Sequence, residues 1–524
     1  MVNDNIGLAL AGMTERIADV APHHIALVAG DERIDYGSLH KTVLRCVAAL
    51  RASGIGKGDR VGYLGLNSVD YVILLQAALR VGAVMVGINW RLVAREIAYI
   101  VVDAQIALLV TEAERVDAIE IDSLGAAPII LLVDGQHDGR GAFRDWIAGF
   151  APDPVVADLV PGDVAVQLYT SGTTGNPKGA LLTHGSLTAS LGQSRLLGET
   201  WSLWHDSDVS LVAMPQFHIG GTAWTMQTIN AGGTAILLGK PEIGDIIDAV
   251  QRHGVTKMFA VPAVLGMILA DARSASTDLS SLRVLLYGAS PIPLDILKRS
   301  MALFPNARFI QMYGATETSG TIVYLPPEDH SIDGNARMTG CGIPYPQVEL
   351  RIVDTDGQDL PSGKVGEILV RSPLVMCGYH NLPEATDAAF AGGWYRTGDA
   401  GYLDTDGYLY LFDRVKDMIV SGAENIYPAE VENALHEHPA VRDCAVIGVP
   451  DERWGEAVKA IVVCEPGQAL DSAILIAFAR ARIAGYKVPK SVDFVDALPR
   501  NASGKVLKKE LRAPYWPQGG RQVG

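Results

Sequence analysis

The chain has 524 residues, 48% of them apolar and 19% charged, a balance that excludes a disordered polypeptide and exceeds what one hydrophobic core organises, so two or more domains are expected. Lysine and arginine number 43 against 59 aspartates and glutamates, a formal charge of −16; with no basic cluster, this argues against a grip on nucleic acid or on an anionic lipid surface. The 55 glycines exceed the average usage of about 7% and follow no collagen-like period, which points to tight turns and close backbone approaches.

In chain order, Ile25–Val28 and Arg33–Asp35 flank a Gly30-Asp31 turn and read as a hairpin. Leu39, Val43, Cys46, Val47 and Leu50 then recur at helical spacing behind an Asp35 cap. A short strand over Arg60–Leu66, a helix from about Ser68 to Arg80 and a strand over Ala83–Ile88 follow. Ile106–Thr111 and Pro128–Val133 continue the pattern. Apolar strands between helices imply a mainly parallel sheet covered on both faces, with binding sites at the carboxyl ends of its strands. From about 345 to 412 the texture changes. Glu349–Asp354 with Val365–Arg371, and Gly401–Leu403 with Tyr408–Phe412, surround Asp-Thr-Asp-Gly turns at 354–357 and 404–407 and predict an antiparallel unit. Beyond Asp413-Arg-Val-Lys-Asp417 a helix from Pro428, strands near Ala445–Val449 and Ala457–Cys464, a helix over about 471–483 and a strand at Ser491–Val495 make a small α+β unit, while Tyr515–Gly524 reads as a loose tail.

The expected fold is therefore α/β: a large N-terminal domain of layered α/β sheets with a small antiparallel β unit, residues 1–413, then a small α+β C-terminal domain, residues 414–524, with the boundary near 414–417. Cys46, Cys341, Cys377, Cys444 and Cys464 are widely spaced and form no C-x-x-C pair, so neither a disulfide framework nor a zinc site is expected. The first residues lack a charged-then-apolar signal design, and no apolar stretch reaches the roughly 18 residues that span a bilayer. The expectation is a soluble, cytoplasmic protein without a transmembrane segment.

The most distinctive stretch is Thr170-Ser-Gly-Thr-Thr-Gly-Asn-Pro-Lys-Gly179, after a strand predicted over Val164–Tyr169. Its glycines permit a tight backbone with exposed N–H groups, its hydroxyls offer donors, and Lys178 adds positive charge, a set suited to a polyphosphate. It lacks Walker A spacing, and on composition alone a plain surface turn fits as well. No G-x-S-x-G elbow, H-E-x-x-H helix or early G-x-G-x-x-G is present, so hydrolase, metalloprotease and dinucleotide-oxidoreductase chemistry lack support.

This loop is followed by Tyr313-Gly-Ala-Thr-Glu-Thr-Ser-Gly320, Tyr395-Arg-Thr-Gly-Asp399, Asp413-Arg-Val-Lys-Asp417 and Pro499-Arg-Asn-Ala-Ser-Gly-Lys505. Five motifs in that order, over nearly the whole chain, resemble the adenylate-forming enzymes, and within them the acyl-CoA synthetases. The resemblance implies an ATP-dependent acid–thiol ligase. It would make an acyl-adenylate with release of pyrophosphate and transfer the acyl group to coenzyme A, with Mg²⁺ as metal. Its partners would be a small carboxylic acid, ATP and coenzyme A, with no nucleic acid; many relatives are dimers, so a homodimer is expected. A ligase that loads a carrier protein, an aryl-acid CoA ligase and a non-catalytic nucleotide-binding scaffold stand as alternatives.

Residue by residue, the resemblance makes Thr170, Ser171, Gly172, Thr173, Thr174, Gly175 and Lys178 the loop over the β- and γ-phosphates. Gly288, Ala289 and Ser290 become an adenine-side strand end, with Tyr313, Gly314 and Ala315 also beside the nucleotide. Thr316 would bind the α-phosphate, and Glu317 would hold Mg²⁺. Asp399 and Arg414 would take the ribose hydroxyls. Lys505 would bridge the substrate carboxylate and the α-phosphate, and Lys416 would be the hinge about which the small domain rotates. Ser421, Gly422 and Ala423 would then face the site and line the thiol's approach; Ala423 stands where many relatives have a second glycine. In Pro215-Gln-Phe-His-Ile-Gly-Gly221, His218 stands where amino-acid-activating relatives carry an aspartate, which disfavours an α-amino acid. His218 reads as a gate to the acyl tunnel or as a packing histidine. Gly220, Gly221 and the small residues 288–289 leave room for a medium- or long-chain fatty acid or another bulky hydrophobic acid.

Overall fold

The structure, a computed structural model, describes residues 10–119, 128–133, 135, 140–170, 176–414, 417–421, 424–451, 453–468, 470–500 and 506–516. The alternation of apolar strands and helices builds two α/β sheets, the layered sheets expected of the large N-terminal domain. A nine-stranded sheet has a parallel centre, Ile25–Ala29, Thr234–Leu237, Val209–Val212, Lys257–Ala260, Val284–Gly288 and Arg308–Ala315, in that spatial order. Antiparallel strands flank this centre, Glu32–Asp35 at one edge and, on the other side, Gly320–Leu325 followed by the edge strand Ile343–Pro344. A seven-stranded sheet runs Gly378–Tyr379, Lys178–Thr183, Val164–Thr170, Val84–Ile88, Arg60–Leu64, Ile106–Thr111, Ile129–Leu132. Lys178–Thr183 runs antiparallel to both of its neighbours, Gly378–Tyr379 and Val164–Thr170, and the remaining pairs are parallel. The division is carried by long-range pairing: Ile25–Ala29 lies beside Thr234–Leu237, where the Thr234 hydroxyl donates to the Ile25 carbonyl across 209 positions. Local periodicity does not record which distant strand a strand joins.

Capping follows the sequence. Asp35 accepts from the Ser38 N–H at 2.7 Å to open the helix Tyr36–Ala52, and Ser68 caps Val69–Val81, which ends on Gly82 at φ +75°. Every residue of Val69–Val81 is buried, including Asp70, which pairs with Arg144, and Arg80, which pairs with Glu15. The antiparallel unit is observed as Glu349–Val353, Gly366–Arg371, Trp394–Leu403, Phe390–Ala391 and Leu409–Arg414. One apolar core draws on all three sheets, with Ala235 and Ile310, Met85 and Val166, and Ile368 and Val370 in the same cluster.

The next strand, Ile419–Ser421, belongs to another sheet, with Glu424–Ile426, Val441–Asp451, Gly455–Cys464 and Ser491–Phe494. Helices Pro428–His436 and Ser472–Arg480 supply its second layer. Ile419, Val431, Val446, Val458 and Leu475 form an apolar core of its own. The Val441–Cys464 hairpin is longer than the sequence pattern suggested, because its ladder continues through Pro450 to pair Asp451 with Gly455. Among the described residues, no helix is long and apolar enough to cross a membrane.

Candidate active site

The strand Val164–Thr170 is buried through its middle and ends at Thr170, before the loop residues 171–175, which lie outside the described residues. The chain returns antiparallel, with Thr170 opposite Lys178. Glu317 arrives from the other α/β sheet, in the short turn between Arg308–Ala315 and Gly320–Leu325. The Thr170 hydroxyl donates to Glu317 Oε1 at 3.2 Å, and the Tyr379 hydroxyl donates to the same oxygen at 3.1 Å. Lys178 Nζ stands 5.2 Å from the centre of the Tyr379 ring, a cation–π distance. The backbone closes the arrangement, since the Met376 N–H donates to the Glu317 carbonyl at 2.8 Å. One carboxylate thus joins the strand ends of both α/β sheets. Tyr379 is a residue the motif reading missed: it sits in a two-residue strand, too short to leave a periodic signal, and only the pairing of Gly378 with Leu181 and of Tyr379 with Ala180 brings it to Glu317 and Lys178.

Beside this cluster the Tyr313 hydroxyl donates to Asp399 Oδ2 at 2.7 Å, and the Asp399 N–H donates to the Thr397 hydroxyl at 3.0 Å. Removal of the Tyr313 phenol from water, then the Asp399 charge, push its ionisation well above that of an ordinary tyrosine. The phenol therefore remains a donor at working pH. Asp399 pairs with Arg414 across neighbouring antiparallel strands, so the backbone registers the two candidate ribose contacts opposite each other.

Val284–Gly288 and Arg308–Ala315 are parallel neighbours, so their carboxyl ends lie at the same edge, with Gly288 opposite Met312. A Cβ on Gly288 would lie 2.1 Å from the Met312 carbonyl oxygen, and one on Gly314 would lie 2.0 Å from the Gly320 carbonyl oxygen. Both glycines are thus required by adjacent backbone. Ala289 follows at φ +67°, and Ser319 sits at φ +51°, left-handed conformations that cost a non-glycine residue about 1–2 kcal/mol. Ser319 is held there by its hydroxyl donating to Ser186 Oγ at 3.0 Å and by its carbonyl accepting from Ser190 Oγ at 2.9 Å. Ala315 N–H donates to Thr318 Oγ1 at 2.9 Å, which fixes the turn bearing Thr316 and Glu317.

His218 occupies the position just before the helix Ile219–Ala231, its ring 4.6 Å from that of Phe217. Burial and the nearby Arg91 lower its pKa to about 4, and its Nε2 is buried without a hydrogen-bond partner. It is a neutral imidazole at neutral pH. The two glycines behind it differ. A Cβ on Gly221 would strike the Pro215 carbonyl oxygen at 2.2 Å, whereas one on Gly220 would meet the Phe259 ring edge at 3.2 Å. Gly221, like Gly288, is consumed by close backbone packing and opens no room for an acyl group; Gly220 faces an aromatic wall.

Ser421 ends the strand Ile419–Ser421, opposite Gly455. Ser171, Gly172, Thr173, Thr174, Gly175, Lys416, Gly422, Ala423 and Lys505 lie outside the described residues, as does the Arg414 side chain.

The AMP-binding enzyme model matches residues 14–380, and the model of the AMP-binding enzyme C-terminal domain matches residues 430–505. The chain belongs to the AMP-binding enzyme family, and it is an adenylate-forming ligase. It is 40% identical over 499 residues, 95% of each chain, to the fatty acid–[acyl-carrier-protein] ligase ScoC of Streptomyces coeruleorubidus. It is 41% identical over 503 residues to a feruloyl-CoA synthase of an Amycolatopsis species, covering 95% of this chain and 98% of that one. Among solved structures, ATP-bound MatB from Rhodopseudomonas palustris superposes with a TM-score of 0.86 at 33% identity, over 96% of this chain and 99% of that one.

Proposed function

We propose that this chain activates a medium- or long-chain fatty acid, or another bulky hydrophobic carboxylic acid, and passes its acyl group to coenzyme A. A carboxylate oxygen attacks the α-phosphorus of ATP, the bond to the bridging oxygen breaks, and pyrophosphate leaves. The thiol sulfur then attacks the acyl carbon, its proton passes to solvent, and AMP leaves with the acyl C–O bond broken. Negative charge develops in both steps, so placed cations and oriented donors lower the barriers. The observation that carries this reading is the meeting of the Thr170 and Tyr379 hydroxyls on one Glu317 oxygen, with Lys178 over the Tyr379 ring.

In this reading Thr170, the 171–175 loop and Lys178 hold the β- and γ-phosphates, and Thr316 the α-phosphate. Tyr313, Asp399 and Arg414 take the ribose, with the adenine between the 288–290 and 314–315 backbones. The carboxylate and hydroxyl oxygens at Glu317 and Thr170 fit Mg²⁺, a hard cation commonly held by one or two carboxylates together with substrate phosphates. When bound there it would neutralise phosphate charge. Lys505 bridges acid and α-phosphate; the separate core of the C-terminal sheet supports a domain boundary at 414–417 with Lys416 as hinge, and Ser421–Ala423 serves the thiol step. His218, neutral, stands beside the acid.

Pyrophosphate exchange with a panel of carboxylic acids, followed by thioester formation on free coenzyme A, tests this reading. Lys505→Ala is expected to abolish exchange while thioesterification of supplied acyl-adenylate continues. Absence of exchange with every acid in the wild type would overturn the assignment. A second reading, transfer to a carrier protein, is favoured by the relative that is a fatty acid–[acyl-carrier-protein] ligase. Exchange without coenzyme A thioester, but with acylation of a phosphopantetheinyl carrier, would select it.

A further inference from the structure

The helix Ile219–Ala231, which begins at His218, carries Trp224 one turn beyond Gly220, and residues four apart lie on one helix face. Both face Phe259: a Cβ on Gly220 would lie 3.2 Å from its ring edge, and the Trp224 ring centre is 6.3 Å from the Phe259 ring centre. The apolar wall that starts behind His218 therefore continues to Trp224. This indole is 7% exposed, yet its Nε1 is buried with no acceptor. The helix His184–Leu197 packs against the same helix. Its residues 186 and 190 engage Ser319, and Gln193 follows on that stripe one turn later. Gln193 is 6% exposed, and its Nε2 is likewise buried without an acceptor. Two neutral N–H donors thus stand unmet on the paired helices that also carry His218. A buried donor left unmet carries a desolvation cost that a well-placed acceptor removes.

We infer that the acid accepted by this protein bears a neutral oxygen function, a carbonyl, ether or hydroxyl, remote from its carboxylate, and that Gln193 and Trp224 receive it by hydrogen bonds. The inference rests on the adenylation reading above and sharpens its substrate class. A plain alkyl chain fills the wall beside Phe259 but leaves both donors unmet, and a site built to hydrogen-bond a group discriminates against the analogue lacking it.

The test compares acids matched in size: para-methoxycinnamate against para-ethylcinnamate, and a ketone-bearing alkanoate against its methylene analogue of equal length. Pyrophosphate release is measured with the full-length protein. The oxygenated member of at least one pair is expected to be favoured by about tenfold or more in kcat/KM, and Gln193→Leu or Trp224→Phe is expected to bring that ratio towards one. Parity or apolar preference in both pairs with the wild type overturns the inference and leaves the two donors to water. A preference that survives in both variants also overturns it. Should one variant fail to fold, the wild-type ratio and the other variant still decide. No pyrophosphate with any acid defeats the adenylation reading itself, a result distinct from parity.

Discussion

Tyr313→Phe isolates one bond of the candidate nucleotide site. The phenol donates to Asp399 Oδ2 at 2.7 Å, a charge-assisted hydrogen bond of a kind worth about 1.5–3 kcal/mol. At 1.4 kcal/mol per factor of ten, its loss predicts roughly a 10- to 150-fold effect wherever Asp399 acts. If Asp399 takes the ribose hydroxyls, that interaction is made in the ground state and the transition state alike. The loss then appears in the KM for ATP, with kcat and the KM for the acid little changed. The phenylalanine ring keeps the packing, and the Thr397 bond to the Asp399 backbone remains, so the melting temperature should fall by only a few degrees. Because desolvation and the Asp399 charge hold the phenol protonated far above neutrality, the effect should be flat from about pH 6 to 9. The assay is pyrophosphate exchange with ATP varied at saturating acid, beside a thermal melt. An unchanged KM for ATP, or a change confined to the acid, would refute the placement of Asp399 at the ribose.

Tyr379→Phe removes one of the two hydroxyls on Glu317 Oε1 and, if Glu317 holds Mg²⁺ as proposed, is expected to lower pyrophosphate release by about tenfold, with partial recovery at high Mg²⁺; loss indifferent to Mg²⁺ would contradict a metal-holding role for this carboxylate. Gly314→Ala places a methyl group 2.0 Å from the Gly320 carbonyl oxygen, so the antiparallel strands must part. A loss of about 1–3 kcal/mol in denaturant unfolding is expected, and a wild-type midpoint would contradict the described turn. His184 is fully buried, neither ring nitrogen has a partner, and burial lowers its pKa to about 4. The unfolded chain binds a proton near its ordinary pKa of 6.5 and the folded one does not, so this contribution is complete above 6.5 and is lost as pH falls towards 4, by up to about 3 kcal/mol. His184→Gln should flatten the fall in unfolding free energy across that window; an identical slope in the variant would show that the ring is charged or hydrated in the native state.

The local elements were legible because their signals are local. Asp35 and Ser68 precede apolar runs of helical period, and both cap the expected helices. Ile106–Thr111 is observed with the bounds that its apolar run predicts. Which strand joins which of the layered α/β sheets was not legible, since it depends on pairings such as Ile25–Ala29 with Thr234–Leu237. The short strands Ile419–Ser421 and Glu424–Ile426 were missed for the opposite reason, being three residues each and without room for a period.

The candidate site divides in the same way. Ordered motifs brought Thr170, Lys178, Glu317, Tyr313 and Asp399 into consideration, but the bonds that join them span 147 positions from Thr170 to Glu317 and 86 from Tyr313 to Asp399. No spacing rule carries that information. The glycines show where packing supplies a second physical reason beside the one a motif suggests. Gly288 and Gly314 were singled out for backbone approach to a nucleotide, yet Met312 and Gly320 carbonyls already forbid a side chain at either place. An alanine there damages strand packing whether or not ATP is bound, so its effect on activity cannot locate the adenine. Tyr313→Phe and Tyr379→Phe each delete one hydroxyl and leave the strands in place. They are therefore the substitutions that distinguish a nucleotide site from a well-packed sheet edge.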